Sequence, residues 1–169
     1  AQELSHAFSL SRALYGAAVL GQFRREADAV REWAEAAIAL STEQGFPEYL
    51  KLGTIERSWA LIEQGQGEEG IAQIRKGMAA WQATGAEQRR PLALLAEAYG
   101  KVGQTEEGLT MLAEVLALVD KSGERFYKAE LFRLKGQLTL QKFQVSGFRF
   151  QVPNPQAEAE AEACFVKAI

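Results

Sequence analysis

Apolar side chains recur along most of this chain at spacings of three and four, the period of one helix face. Residues 3–20 read as a first helix with Leu10, Leu14, Ala17 and Leu20 on one side and Gly21 closing it. A second, from about Glu26 to Glu43, carries Val30, Trp33, Ala37 and Leu40, and Gly45 follows as its C′ residue. Pro47 sits in the first turn of a third helix, where its missing N–H costs nothing; Leu52, Ile55, Trp59 and Ile62 share a face up to about Gln64. The fourth, 68–83, buries Ile71, Ile74, Met78 and Trp81. The fifth starts near Pro91 and runs to about Val102. The sixth, 105–121, has Thr105 as N-cap, Leu109, Leu112, Leu116 and Val119 inside, and Gly123 beyond its end. The seventh, 124–141, carries Phe126, Leu131, Leu134 and Leu138, and an eighth begins at about Gln156.

The pattern repeats at a second level. Gly103-Gln104-Thr105-Glu106-Glu107-Gly108 echoes Gly65-Gln66-Gly67-Glu68-Glu69-Gly70 with one substitution. Aligning the second helix of each pair gives a column Ala29, Gly70, Gly108, Ala161, then Trp33, Ile74, Leu112, Phe165, then Ala36, Gly77, Val115, Ala168. One face thus reads small, large, mostly small in every pair. Small residues admit a neighbouring helix and large ones fill the groove beside it, so hairpins of this kind stack into a continuous core. On this register Gly108→Ala is expected to be neutral or stabilising.

These residues resemble the tetratricopeptide repeat (TPR). Leu95, Ala96 and Tyr99 match the family's first-helix pattern, and Ala161, Phe165 and Ala168 match its second, as do Ala29, Trp33 and Ala36. The helix-ending proline of the family is missing, and the units are longer than usual. The phrases WALIEQGQGEEGIAQIRKG, LLAEAYGKVGQTEEGL, GERFYKAELFRLKG and AEACFVKAI resemble the long repeats of bacterial multidomain ATPases and MalT-type regulators, including those fused to adenylate or guanylate cyclase domains. The resemblance implies an all-α fold, a right-handed superhelical array of about four TPR-like hairpins forming a single domain over residues 1–169. The absence of an initial Met and the stop at Ile169 in mid-pattern read as a piece of a longer protein.

One segment breaks the helical period. Between the seventh and eighth helices, the insertion 143–155 alternates with period two: Phe143, Val145, Phe148, Phe150 and Val152 flank Ser146-Gly147. A two-residue turn there would put Phe143, Val145, Phe148 and Phe150 on one face of a small β-hairpin near 142–152. The alternative is a duplicated, loosely ordered insert, since Phe143-Gln-Val145 recurs as Phe150-Gln-Val152.

Charge and composition narrow the function. A net charge of -3 gives no basic footprint for nucleic acid. No apolar run is long enough to span a membrane, and a single cysteine fits a reducing cytoplasm. Gly65 to Gly70 formally fits G-x-G-x-x-G, but a helix precedes it and two glutamates would face a pyrophosphate, so it reads as a repeat turn. His6 and Cys164 lie at opposite ends of the chain and cannot supply the roughly four convergent ligands of a zinc site. Glu158, Glu160 and Glu162 alternate with alanine and fan around the last helix as a solvated surface. No nucleophile, base and orienter can be assembled, so neither catalytic residues nor a cofactor or metal is expected.

First helices line the concave groove of TPR arrays, and Trp59 aligns with Glu97 there. By that resemblance Glu56, Trp59, Glu97, Lys101, Glu130 and Arg133 are the groove candidates for partner binding. The competing reading packs Trp59 between hairpins with Leu52 and Ile55. The expected function is a non-enzymatic scaffold for a protein or peptide segment, including the catalytic domains of its own parent protein, in a bacterial signalling ATPase or cyclase. Homo-oligomerisation and small-molecule sensing, as in MalT-like regulators, are the alternatives.

Overall fold

The computed structural model describes residues 2–82, 89–123, 127–144 and 154–169, and among them every regular element is a helix. The chain divides into two compact units, residues 1–86 and 87–169. The first holds α1 (Gln2–Phe23), α2 (Ala27–Gln44), α3 (Pro47–Glu63) and α4 (Gly67–Gln82); the second holds α5 (Arg89–Lys101), α6 (Thr105–Ser122), α7 (Lys128–Gln144) and α8 (Pro155–Ala168). The core of the β-hairpin expected near 142–152, and the segment containing Phe126, lie outside the described residues.

Three turns share one backbone solution. Arg25, Gly65 and Gly103 have φ of 61, 87 and 81°. The next residue in each case closes the turn, Glu26 N–H on the Gly21 carbonyl, Gln66 on Leu61 and Gln104 on Tyr99, at 3.0, 2.8 and 2.8 Å. These bonds satisfy carbonyls that the ending helix leaves without an intrahelical partner. Glycine takes the left-handed conformation without strain, whereas Arg25 takes it with a side chain. Its guanidinium lies 5.9 Å from the centre of the Trp59 ring and 3.4 Å from the Glu63 carboxylate.

The turns fix the repeat register, and it differs from the sequence alignment in the first hairpin. Arg25, Gly65 and Gly103 are equivalent, so Val30 stands with Gly70 and Gly108. The buried face of α2 is Val30, Ala34, Ala37 and Ser41, while Trp33 is half-buried and Ala36 exposed. Gly21 does not close α1. The helix runs through it to Phe23, and a Cβ there would stand 2.9 Å from both Trp33 and Val30. It is a close-approach position between α1 and α2.

Helix ends otherwise follow their residues. Gly45 and Gly123 end α2 and α6 at φ 72°, and Pro47 stands in the first turn of α3. Thr105 is not the N-cap of α6. Gln104 holds that place, and the Thr105 hydroxyl is buried with no hydrogen-bond partner among the described residues. Helix α8 has a side-chain cap in Asn154, whose Oδ1 accepts from the N–H groups of Gln156 and Ala157, both at 3.2 Å.

Each unit has its own core. In the first, α3 packs against α1, α2 and α4, and Ile55, Trp59, Ala60, Leu61 and Ile62 are all buried. In the second, Ala93, Ala96, Leu112, Val115, Val119, Leu131, Leu134 and Leu138 form one cluster. Helix α8 adds Ala157, Ala161 and Cys164 rather than the expected Ala161, Phe165 and Ala168. Phe165 is half-buried instead, with its ring across Gly136 of α7, where a Cβ would stand 2.8 Å away.

Candidate functional site

Three of the six groove candidates are inside the protein. Glu56 and Trp59 are 0 and 1% exposed, and Glu97 is 6% exposed. For Glu56 and Trp59 the expectation of an accessible groove position is corrected. Helix α3 packs against α1, α2 and α4, which bury both side chains. Trp59 is a packing residue, as the competing reading held.

Buried Glu97 and the three remaining candidates, Lys101, Glu130 and Arg133, belong to the second unit. Helices α5 and α7 leave a cleft of about 210 Å³, with Glu97, Gly100 and Lys101 on one wall and Leu134, Gln137, Leu138 and Gln141 on the other. Its shape rests on Gly100, since a Cβ there would run into the Leu138 side chain. The Gln141 amide donates to the Gly100 carbonyl at 2.6 Å and ties the walls together. Lys101 is exposed at the end of α5. A lysine in the last helical turn is favoured by the negative end of the helix dipole.

Glu130 and Arg133 form a fork on α7, the guanidinium donating to both carboxylate oxygens at 2.6 Å. The remaining amino group of Arg133 donates to Gln137 Oε1 at 2.9 Å. These hydrogen bonds from Arg133 to Glu130 raise its pKa above the ordinary arginine value against partial burial, with the charges of Glu130 and Glu97 adding to them. A fixed cation, an amide and an apolar floor therefore follow one another along α7.

Gln137 and Gln141 are the site residues that sequence reasoning missed. They continue Arg133 at i+4 and i+8, so the same face of the seventh helix pointed to them. Trp59 and Glu97 do occupy equivalent places, each six residues before its turn glycine, but only Glu97 lines an opening.

Other candidates stand apart. His6 is exposed, Cys164 is buried, and among the described residues no three metal-ligating side chains converge. Gly65 to Gly70 forms a helical-hairpin turn. A Cβ on Gly70 would stand 2.6 Å from the Ser58 carbonyl, so that glycine serves helix packing rather than phosphate. No helix among the described residues is long and apolar enough to cross a membrane.

What these features define is a TPR-like helical repeat fold with a small polar cleft on its first-helix face. No family model and no curated protein matches the sequence. Among solved structures the chain is similar to a Podosopora anserina protein assigned as a kinesin light chain, with nearly identical TPR-like repeats. The TM-score is 0.56 at 20% identity, over 93% of this chain and 84% of that one. At that identity the likeness establishes the fold alone.

Proposed function

We propose that this chain is a non-enzymatic scaffold whose α5–α7 cleft receives a protein or peptide segment, and that residues 1–169 act as one interaction module of a cytoplasmic bacterial signalling ATPase or cyclase. The observation that carries the binding role is the cleft itself. Lys101, Glu97, Gln137 and Gln141 surround an apolar floor of Leu134 and Leu138, and the Glu130–Arg133 fork follows directly on α7. An extended peptide offers N–H and C=O groups to amides and charged groups, and one apolar side chain to the floor. Side chains already held by the helix pair lose little freedom on binding, which favours affinity. The parent context rests on the repeat phrases of the sequence, and a segment of the parent's own catalytic domains is one occupant we propose for the cleft.

The test has two parts. Peptides tiling a candidate catalytic domain are titrated by fluorescence anisotropy against the wild-type chain and Lys101→Glu and Gln137→Ala variants. Binding that both variants weaken supports the cleft; binding indifferent to both rejects it. Catalytic activity is then measured with and without residues 1–169 attached, and unchanged activity and regulation would remove the regulatory role.

A further inference from the structure

Each polar group of the α5–α7 cleft has its hydrogen-bonding sense set by its own chemistry or by a neighbour's. A guanidinium only donates, so the atom of Gln137 that meets Arg133 at 2.9 Å is Oε1, and the NH2 group is left for the cleft. Arg133 is itself held by both oxygens of Glu130 at 2.6 Å, so the group that orients Gln137 is fixed. A carbonyl only accepts, so Gln141 meets the Gly100 oxygen through Nε2, at 2.6 Å, and Oε1 is its acceptor. Lys101 brings donors and Glu97 acceptors to the same opening.

Donors and acceptors are thus mixed, and the formal charges cancel, Lys101 and Arg133 against Glu97 and Glu130. The cleft's volume of about 210 Å³ lies below the roughly 300–1,000 Å³ of pockets that enclose whole small molecules, and suits a single side chain. Its apolar floor is small as well, since Leu134 and Leu138 are 1 and 2% exposed. A methylene stem is enough to cover that floor, which leaves a polar end among the amides. The end that matches them carries no net charge and both donates and accepts.

We infer, on the reading that a peptide segment occupies this cleft, that it recognises the side-chain carboxamide of a glutamine or asparagine in that segment. The ligand C=O accepts from the Gln137 NH2 and Lys101, and the ligand NH2 donates to Glu97. A glutamate of the same shape has no N–H for Glu97 and brings a like charge to it. A lysine has no acceptor for the Gln137 NH2 and meets Lys101. A leucine leaves the polar groups of both walls desolvated and unpaired.

NMR spectra of the side-chain NH2 groups of the 169-residue chain report this directly. The probes are alanine pentapeptides, blocked at both ends, with glutamine, asparagine, glutamate, lysine or leucine at the centre. The glutamine or asparagine peptide should shift the Gln137 and Gln141 signals saturably. The other three should bind at least about tenfold more weakly, ~1.4 kcal/mol. Gln137→Glu keeps an acceptor for Arg133 and replaces only the NH2, at an exposed position, with circular dichroism as the check on folding. It should weaken the carboxamide peptides about tenfold and favour the lysine peptide over them. A glutamate, lysine or leucine peptide that binds as tightly as the carboxamide peptides would overturn the carboxamide assignment and leave the cleft as a peptide site. So would a Gln137→Glu chain with the wild-type preference. If no peptide moves a cleft signal, the assignment falls, and the tiled-peptide titration with Lys101→Glu decides separately whether the cleft binds peptides at all.

Discussion

Gly108 of α6 lies against the backbone of Ala96 in α5: a Cβ at 108 would stand 2.8 Å from the Ala96 carbonyl oxygen and 2.8 Å from Leu138 Cδ1. Helix propensity alone favours alanine at 108 by about 1 kcal/mol. The carbonyl oxygen is backbone and cannot rotate away, so the helices must separate, and overpacking of this kind costs roughly 1–3 kcal/mol. Gly108→Ala should therefore destabilise by about 1 kcal/mol, and Gly108→Leu by more. Gly77 of α4 is the control, since its nearest neighbour would be Ile55 at an ordinary 3.8 Å. Gly77→Ala should stabilise by up to about 1 kcal/mol. Urea titrations of the two alanine variants should shift in opposite directions, and a common sign would reject the packing argument.

Trp59 is 1% exposed, and its indole N–H is buried with no hydrogen-bond partner among the described residues. Truncation to alanine should cost roughly 3–5 kcal/mol, the range for large aromatic side chains in cores. Trp59→Phe removes the unsatisfied donor along with some volume, and these effects oppose each other, leaving a change within about 1.5 kcal/mol. Denaturant melts of both variants decide it. A Trp59→Ala chain as stable as wild type would return this residue to the surface.

Arg25 is strained where Gly65 and Gly103 are not, yet it makes contacts that no glycine can. Left-handed backbone costs a residue with a side chain roughly 1–2 kcal/mol. The stacking over Trp59 and the partly exposed pair with Glu63 each return about 0.5–1 kcal/mol at most. Arg25→Gly relieves the strain and loses the contacts, so it should be nearly neutral. Arg25→Ala keeps the strain and loses the same contacts, so it should be the less stable of the two by about 1 kcal/mol. Equal thermal midpoints for the two variants would contradict the turn geometry.

The helical architecture was legible because it is carried by local signals that tertiary packing only reinforces. The echo at 65–70 and 103–108 named the turns, and Pro47, Gly45 and Gly123 marked ends that the structure keeps. The first hairpin was misaligned by one residue because its turn uses Arg25 in place of glycine, so the punctuation that anchored the others was missing. Gly21 reads as a stop in the sequence because a glycine that ends a helix and one that admits a neighbour are the same letter. Capping propensity points to Thr105, but the carbonyl of Gln104 accepts from the Gly108 N–H, which places Gln104 at the cap. The site was half legible. Helix period placed Glu97, Lys101, Glu130 and Arg133 on first-type helices, but only three-dimensional packing decides that α3 is enclosed while α5 and α7 leave an opening.

Asn154 is the residue that starts α8, and its cap can be tested apart from the packing that follows. Its side chain satisfies two of the N–H groups that a helix start leaves open, and Pro155 contributes a preset φ at the first helical position. Asn154→Ala should cost the second unit about 1 kcal/mol. Asn154→Asp keeps the acceptor and adds a negative charge at the positive end of the helix dipole, so at neutral pH it should equal or exceed wild type by a few tenths of a kcal/mol. The two folded N–H groups favour the ionised aspartate, which lowers its pKa below the unfolded value of about 3.9. Its contribution is then complete above the unfolded pKa and is lost as pH falls through the folded one. Thermal melts at neutral pH and near pH 3 should show Asn154→Asp losing its advantage over wild type in acid. Asn154→Ala adds no titrating group, so its deficit should change much less with pH. An Asp variant with the same advantage at both pH values would show that residue 154 does not cap α8.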